Sequence, residues 1–494
     1  MPKKTSRPGR LPFWGTGPRA GLLAIAAALM MSMVSPAAAQ QPEAPPPMET
    51  PVAETAATAE VAAPVAAAIE EPAETSSEEA ASTIDSGDTS WMLVSTVLVL
   101  LMILPGLALF YSGLAQSRNV LSVVLQVSTI AVIGLVTWVL WGFSLTFTEG
   151  PFNAFVGGGD LLFLAGIGVD QPSAVLSNIP EYVFVSFQAT FAAITAALAV
   201  GGFAERVRFL PIVIFAVLWP LLSYYPLARM VWGGGLLVEQ GALDFAGGTI
   251  VHINAGVAGF VGAIFVGHRL GYKSEPLPPH SLVLTYIGAS LLWVGWFGFN
   301  AGSAGAANGL AGLATINTIL ATAAAAFSWI LTEWVTRKKP TMLGFASGVI
   351  AGLVAITPAA GFVGPMGAIV LGLIASPVCV VFCAGIKKAL NYDDAYDVFG
   401  IHAVAGIIGA IGTGILTAPS LGGTAGWGLE DGQTYDMVAQ TTTQVVAVGV
   451  SIAWVAVATS IVFIVMKMVG LRVSRDTEEE GIDINAHGEM AYHT

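Results

Sequence analysis

The chain has 494 residues, of which 55 % are hydrophobic and only 10 % charged, with a formal net charge of −13. A soluble domain carries about 25 % charged residues, so a soluble enzyme, a disordered protein and a nucleic-acid binder are excluded. With a mean hydropathy of +0.75, this is the composition of an all-α polytopic membrane protein whose surroundings are lipid.

Lys3, Lys4, Arg7, Arg10 and Arg19 precede an apolar run over 21–34 and the small residues Ala37, Ala38 and Ala39. This order of charge, apolar stretch and small residues reads as a secretory signal peptide over 1–39, with an uncleaved anchor helix as the alternative. Residues 40–88 contain nine Glu, two Asp and no base, are rich in Ala and Pro, and show no hydrophobic period. They read as a disordered, acidic extracytoplasmic tail serving as a spacer. Without 1–39 the chain keeps 14 bases against 32 acids, a charge of −18.

The membrane domain is expected over 89–468, followed by a cytoplasmic tail over 469–494. Eleven apolar stretches are long enough to span a bilayer, near 91–113, 119–145, 181–203, 208–230, 245–267, 281–303, 311–335, 342–360, 364–388, 398–417 and 438–467. Of the 14 remaining bases, 13 follow odd-numbered spans and only Arg229 lies on the other side. The positive-inside rule then places the N-terminus outside and the C-terminus in the cytoplasm. Cys379 and Cys383, one helical turn apart in an apolar segment, read as packing partners, not as a disulfide framework.

Span five reads HINAGVAGFVG from His252 and span ten reads HAVAGIIGAIG from His402. Both place Gly four, seven and ten residues after the His, and an Asp precedes each, Asp244 and Asp397. Five spans separate them, so they run in opposite directions. This is an inverted repeat of spans 1–5 against 6–10, with the working site at its interface and span eleven a peripheral addition. The glycines permit close helix approach, so the two histidines are expected near each other. Intramembrane ionisable residues are costly and mark ion or proton pathways. Two His are too few for a structural zinc site, no HExxH or P-loop motif occurs, and no metal or cofactor is expected.

Asp244 reads as an N-cap that also biases the field for a cation, and Asp397 as its counterpart. Phe187 and Phe191 lie one turn apart, Trp232 ends span four, and Trp296, Phe297 and Phe299 precede Ser303. Such aromatics usually fill cores or interfacial belts. Beside a carboxylate they would form a cation–π site. The residues point to a pathway for a small cation or its neutral conjugate base.

The segments ARMVWGGG (228–235), GALDFAGG (241–248), VHINA (251–255), GWFGFNAGSAG (295–305) and DVFGIH (397–402) resemble the ammonium transporter family (Amt/MEP/Rh), in its bacterial branch. The resemblance covers about 91–494 and implies a homotrimer in the bacterial inner membrane, with one pore per subunit and no enzymatic activity. It implies that Phe191, Trp232 and Ser303 form an outer ammonium recruitment site, with Asp244 beneath. Phe187 and Phe191 would form a stacked phenyl gate, His252 and His402 a pore histidine pair, and Trp296 and Phe299 pore-lining aromatics. The tail EGIDINAHGE (480–489) resembles the family's C-terminal segment, which implies a PII-type signalling protein as partner. The expected function is uptake in which ammonium is recruited, deprotonated and conducted as ammonia. The alternatives are an ammonium sensor of the same fold, disfavoured by the short tail, and a neutral-gas channel, disfavoured by the Trp232/Asp244 pair.

Overall fold

The computed structural model describes residues 83–426 and 433–492. The expected signal peptide and nearly all of the expected acidic tail lie outside the described residues.

A chain crossing hydrocarbon must satisfy its own backbone groups, and the described residues do so with helices. Ten are long and apolar enough to cross a membrane. They are α1 (Ser86–Leu114), α2 (Ser117–Phe147), α3 (Glu181–Gly202), α4 (Phe209–Glu239), α5 (Gly248–Val266), α6 (Leu282–Gly302), α7 (Gly309–Arg337), α9 (Pro365–Leu390), α10 (Phe399–Leu416) and α11 (Met437–Met468). The eleventh, α8 (Met342–Ile356), is shorter. The sequence expectation carried it to 360, but Pro358 cannot donate to a continuing helix, and 357–363 form turns instead. Polar residues set several starts: Ser281, Asn308, Thr341 and Asp436 each accept a bond from a backbone N–H of the first turn they precede.

The repeat is visible in the packing. α5 and α10 cross where the glycines are: a methyl group on Gly256 would collide with the backbone of Ala403, and one on Gly406 would come within 3.1 Å of the Gly248 carbonyl. Both helices begin with a π-helical turn, Gly248–Ile253 and Phe399–Ala403, and each turn holds its histidine. α4 and α9, the preceding pair, also share one, at Pro220–Tyr224 and Val381–Ile386.

α11 lies outside the repeat but stitches its parts. Gln444 bonds both backbone groups of Leu243 and the carbonyl of Ala410. Trp454 donates to the Leu222 carbonyl, and Thr459 accepts from the Trp219 indole.

Polar linkages concentrate on the face that carries the C-terminal tail. Buried Asp393 pairs with Arg206 at 3.4 Å and Arg269 at 2.8 Å, and Arg269 also pairs with Glu205 at 2.9 Å. Burial alone would push the Asp393 carboxyl up, but Arg206 and Arg269 outweigh it and hold it down at about 2. The tail docks on this layer. Glu478 pairs with Arg472 and accepts the Leu270 N–H, while Asp483 accepts the N–H groups of Leu121 and Ser122 at the start of α2. On the opposite face, Arg229 is the base that broke the charge pattern. It is buried, and its guanidinium donates to the carbonyls of Asn153, Thr148 and Thr146. It clamps the loop after α2 rather than facing solvent.

Candidate functional site

Asp244 precedes α5 at the end of the bundle opposite the tail and is buried. Its carboxylate accepts the backbone N–H groups of Gly247, Gly248, Thr249 and Ile250 at 2.8, 2.6, 2.8 and 3.4 Å, and the Thr249 hydroxyl. A π-helical turn leaves its first amides without partners, so one anionic group closes the turn. The carbonyl of Asp244 accepts the Trp232 indole N–H at 2.8 Å, which fixes the half-buried ring at this end.

From Trp232 a file of rings leads inward. Its ring centroid is 5.7 Å from Phe191, edge to face. Phe191 stacks on Phe299 at 4.2 Å, Phe299 lies 5.9 Å from His252, and His252 lies 5.4 Å from His402. Phe187 meets Phe191 edge to face at 4.9 Å, with 62° between planes. The parallel stack is therefore Phe191 on Phe299, not the Phe187–Phe191 pair of the expectation. Trp296 stacks on His252 at 5.2 Å and is held by its N–H donating to Thr357 Oγ1 at 2.9 Å. Ser303 ends α6 at the same end of the bundle as Trp232, and its hydroxyl donates to the Phe299 carbonyl, leaving its lone pairs able to accept.

His252 and His402 are buried, and their Nδ1 atoms face each other at 3.3 Å. One ring must donate and the other accept, so the pair shares one Nδ1 proton. Each Nε2 is left outside that bond, and that of His252 has no hydrogen-bond partner among the described residues.

The repeat partner of Asp244 is not Asp397. Asp394 lies eight residues before His402, as Asp244 lies eight before His252, and it accepts the N–H groups of Val398 and Phe399 at 3.0 and 2.8 Å. Asp397 adopts a left-handed backbone (φ 60°) that turns its side chain to Lys387, 2.5 Å away. The equal spacing from the histidine in the two repeats is the sequence signal that identifies Asp394, although Asp397 lies nearer the helix. The supporting groups Thr249, Thr357 and Gln444 carried no motif and were not anticipated. Among the described residues no group of three or more His, Cys, Asp or Glu side chains is placed to hold a metal ion.

The family model described as Ammonium Transporter Family matches residues 90–492. An ammonium transporter of Aquifex aeolicus is 45 % identical over 83 % of this chain and 94 % of its own length. One of Bacillus subtilis is 45 % identical over 82 % of this chain and 98 % of its own. Among solved structures, Mep2 of Saccharomyces cerevisiae superposes with a TM-score of 0.73 at 33 % identity, covering 80 % of this chain and 89 % of that one. A chain described as a sensor Amt protein gives a TM-score of 0.74 at 29 % identity, covering 81 % and 98 %.

Proposed function

Since the chain belongs to the ammonium transporter family, we propose that it takes up ammonium across a bacterial inner membrane, with the tail in the cytoplasm and three copies forming the working unit. The observation that carries the reading is the unbroken file of rings from half-exposed Trp232 to the paired histidines.

Ammonium arriving at the outer mouth meets the π faces of Trp232 and Phe191 and the acceptor lone pairs of Ser303. Asp244 contributes its charge at short range while its oxygens stay committed to the turn. An intact ion at the bilayer centre costs several kcal/mol or more, so near Phe187 and Phe191 the ion gives its proton to water on the outer side, and ammonia passes the rings as a neutral molecule. Phe299 and Trp296 line its way. At the histidines, the Nε2 atoms outside the shared Nδ1 bond offer it a hydrogen-bond donor and acceptor. The docked tail is a surface on which a PII-type protein would read or set the state of the inner mouth.

The test is an ammonium pulse on proteoliposomes of the purified protein, with sodium and potassium as controls. A saturable, ammonium-selective current means that the proton follows, with the histidine pair as relay. Alkalinisation of the lumen without current means that neutral ammonia crosses alone. Neither signal from correctly inserted protein overturns the transport reading and leaves a sensor, the description carried by one structural relative.

A further inference from the structure

The two mouths of the pathway differ in their charged side chains. At the outer mouth no ion pair involves Asp244 among the described residues, and Arg229 is committed to loop carbonyls. On the tail face a cavity of about 210 Å³ opens beside Ile401, the neighbour of His402, and its wall carries Asp397, Lys387 and Arg269. Arg269 is held by Asp393 and Glu205. The Nζ of Lys387 lies 2.5 Å from Asp397 Oδ1 and 3.3 Å from the Asp394 carbonyl. Asp397 remains 32 % exposed and Lys387 19 %, so the pair faces the cavity.

A lysine head is a singly charged –NH₃⁺ with three donors. It is the transported ion with one hydrogen replaced by a stem. Asp397 is the exposed carboxylate of this mouth, since Asp394 is buried in its capping role. We propose that Lys387 is a tethered occupant of an inner cation site built on Asp397. It fills the carboxylate that cytoplasmic ammonium would otherwise bind. A tethered group competes at an effective concentration in the millimolar range, so submillimolar ammonium does not displace it. The consequence is kinetic asymmetry: the outer mouth binds ammonium at low concentration and the inner mouth does not. This inference rests on the conduction reading above.

The test uses right-side-out and inside-out membrane vesicles carrying the full chain, with the ammonium dependence of uptake as readout, followed as current or as lumenal alkalinisation according to which of the two the wild type shows. K387M is expected to lower the half-saturating concentration in inside-out vesicles at least tenfold and to leave it unchanged in right-side-out vesicles. K387R should behave as wild type, and K387M/D397N should abolish the gain, because the carboxylate itself is gone. K387Q carries the same expectation as K387M should the methionine variant not assemble. Unchanged inside-out half-saturation in K387M, with normal right-side-out uptake, overturns the inference alone, as does a gain that survives in K387M/D397N. Absence of saturable uptake by wild type in right-side-out vesicles overturns the conduction reading beneath it.

Discussion

Replacing Asp244 with alanine separates its two roles, holding the turn and attracting a cation. In the native turn its carboxylate accepts three short backbone bonds, from Gly247, Gly248 and Thr249, and a longer one from Ile250. The Thr249 hydroxyl can turn to a carbonyl one turn back, but the three amides have no second partner among the described residues. A buried donor left unpaired costs about 1–3 kcal/mol. Entry of water from the half-exposed side of Trp232 recovers part of this, so a net loss of roughly 3–5 kcal/mol is expected. At about 2.1 cal/mol/K per residue over some 400 residues, the melting point in detergent falls by about 4–6 °C. Asp394→Ala strands two amides and should cost less, roughly 2–4 kcal/mol. Asp397→Ala loses only a partly exposed ion pair, about 0–1 kcal/mol. Conduction should fall in the same order. An Asp244→Ala protein that melts within a degree of wild type, or a larger loss for Asp397→Ala than for Asp244→Ala, would refute the capping argument.

Three further outcomes are expected. Trp232→Leu removes a cation–π face of about 0.5–2 kcal/mol, raising the half-saturating ammonium concentration roughly two- to thirtyfold, with the maximal rate little changed; an unaltered concentration dependence in vesicles would count against recruitment there. His252→Ala combined with His402→Ala should abolish transport or its selectivity for ammonium over potassium, and wild-type uptake with intact selectivity would remove the pair from the mechanism. Asp393 is ionised at lower pH in the fold than in the unfolded chain, where its pKa is near 3.9. Its stabilising contribution, about 2–3 kcal/mol, is therefore present above roughly pH 4 and disappears as pH falls toward about 2. Melting curves of wild type and Asp393→Asn should converge over that window, and curves that stay parallel would rule the contribution out.

The spans were legible because two independent physical signals agreed: long apolar runs and bases confined to one side. Spacing also brought out His252 and His402, since a repeated pattern survives even when pairing distances are invisible. What escaped the sequence depended on local geometry. Asp393, Asp394 and Asp397 crowd one loop, and only the backbone decides that the first enters an ion network, the second caps α10 and the third meets Lys387. Arg229 counted as an outward charge because a topology rule sees position along the chain, not the carbonyls that enclose a guanidinium. The face-to-face stack of Phe191 on Phe299 joins helices from opposite halves of the repeat, and no spacing within one helix could reveal it. Gln444 is a polar residue in an apolar helix, and three of its bonds reach a loop and a helix far away in the chain.

The π-helical turns that carry the histidines have a consequence for how the sequence tolerates change. Such a turn is an α-helical turn with one residue inserted, and each residue of an α-helix advances the direction of its side chains by about 100°. Deleting the residue that follows the histidine in either turn, Ile253 in Gly248–Ile253 or Ala403 in Phe399–Ala403, would let the helix relax to regular geometry. Everything on one side of the deletion would then rotate by that angle relative to the other. The imidazole could no longer point at its partner while the following glycines kept facing the opposing helix. Ring direction and glycine seam are phased by the count of residues between them, so homologous chains can vary side chains here far more freely than they can vary length.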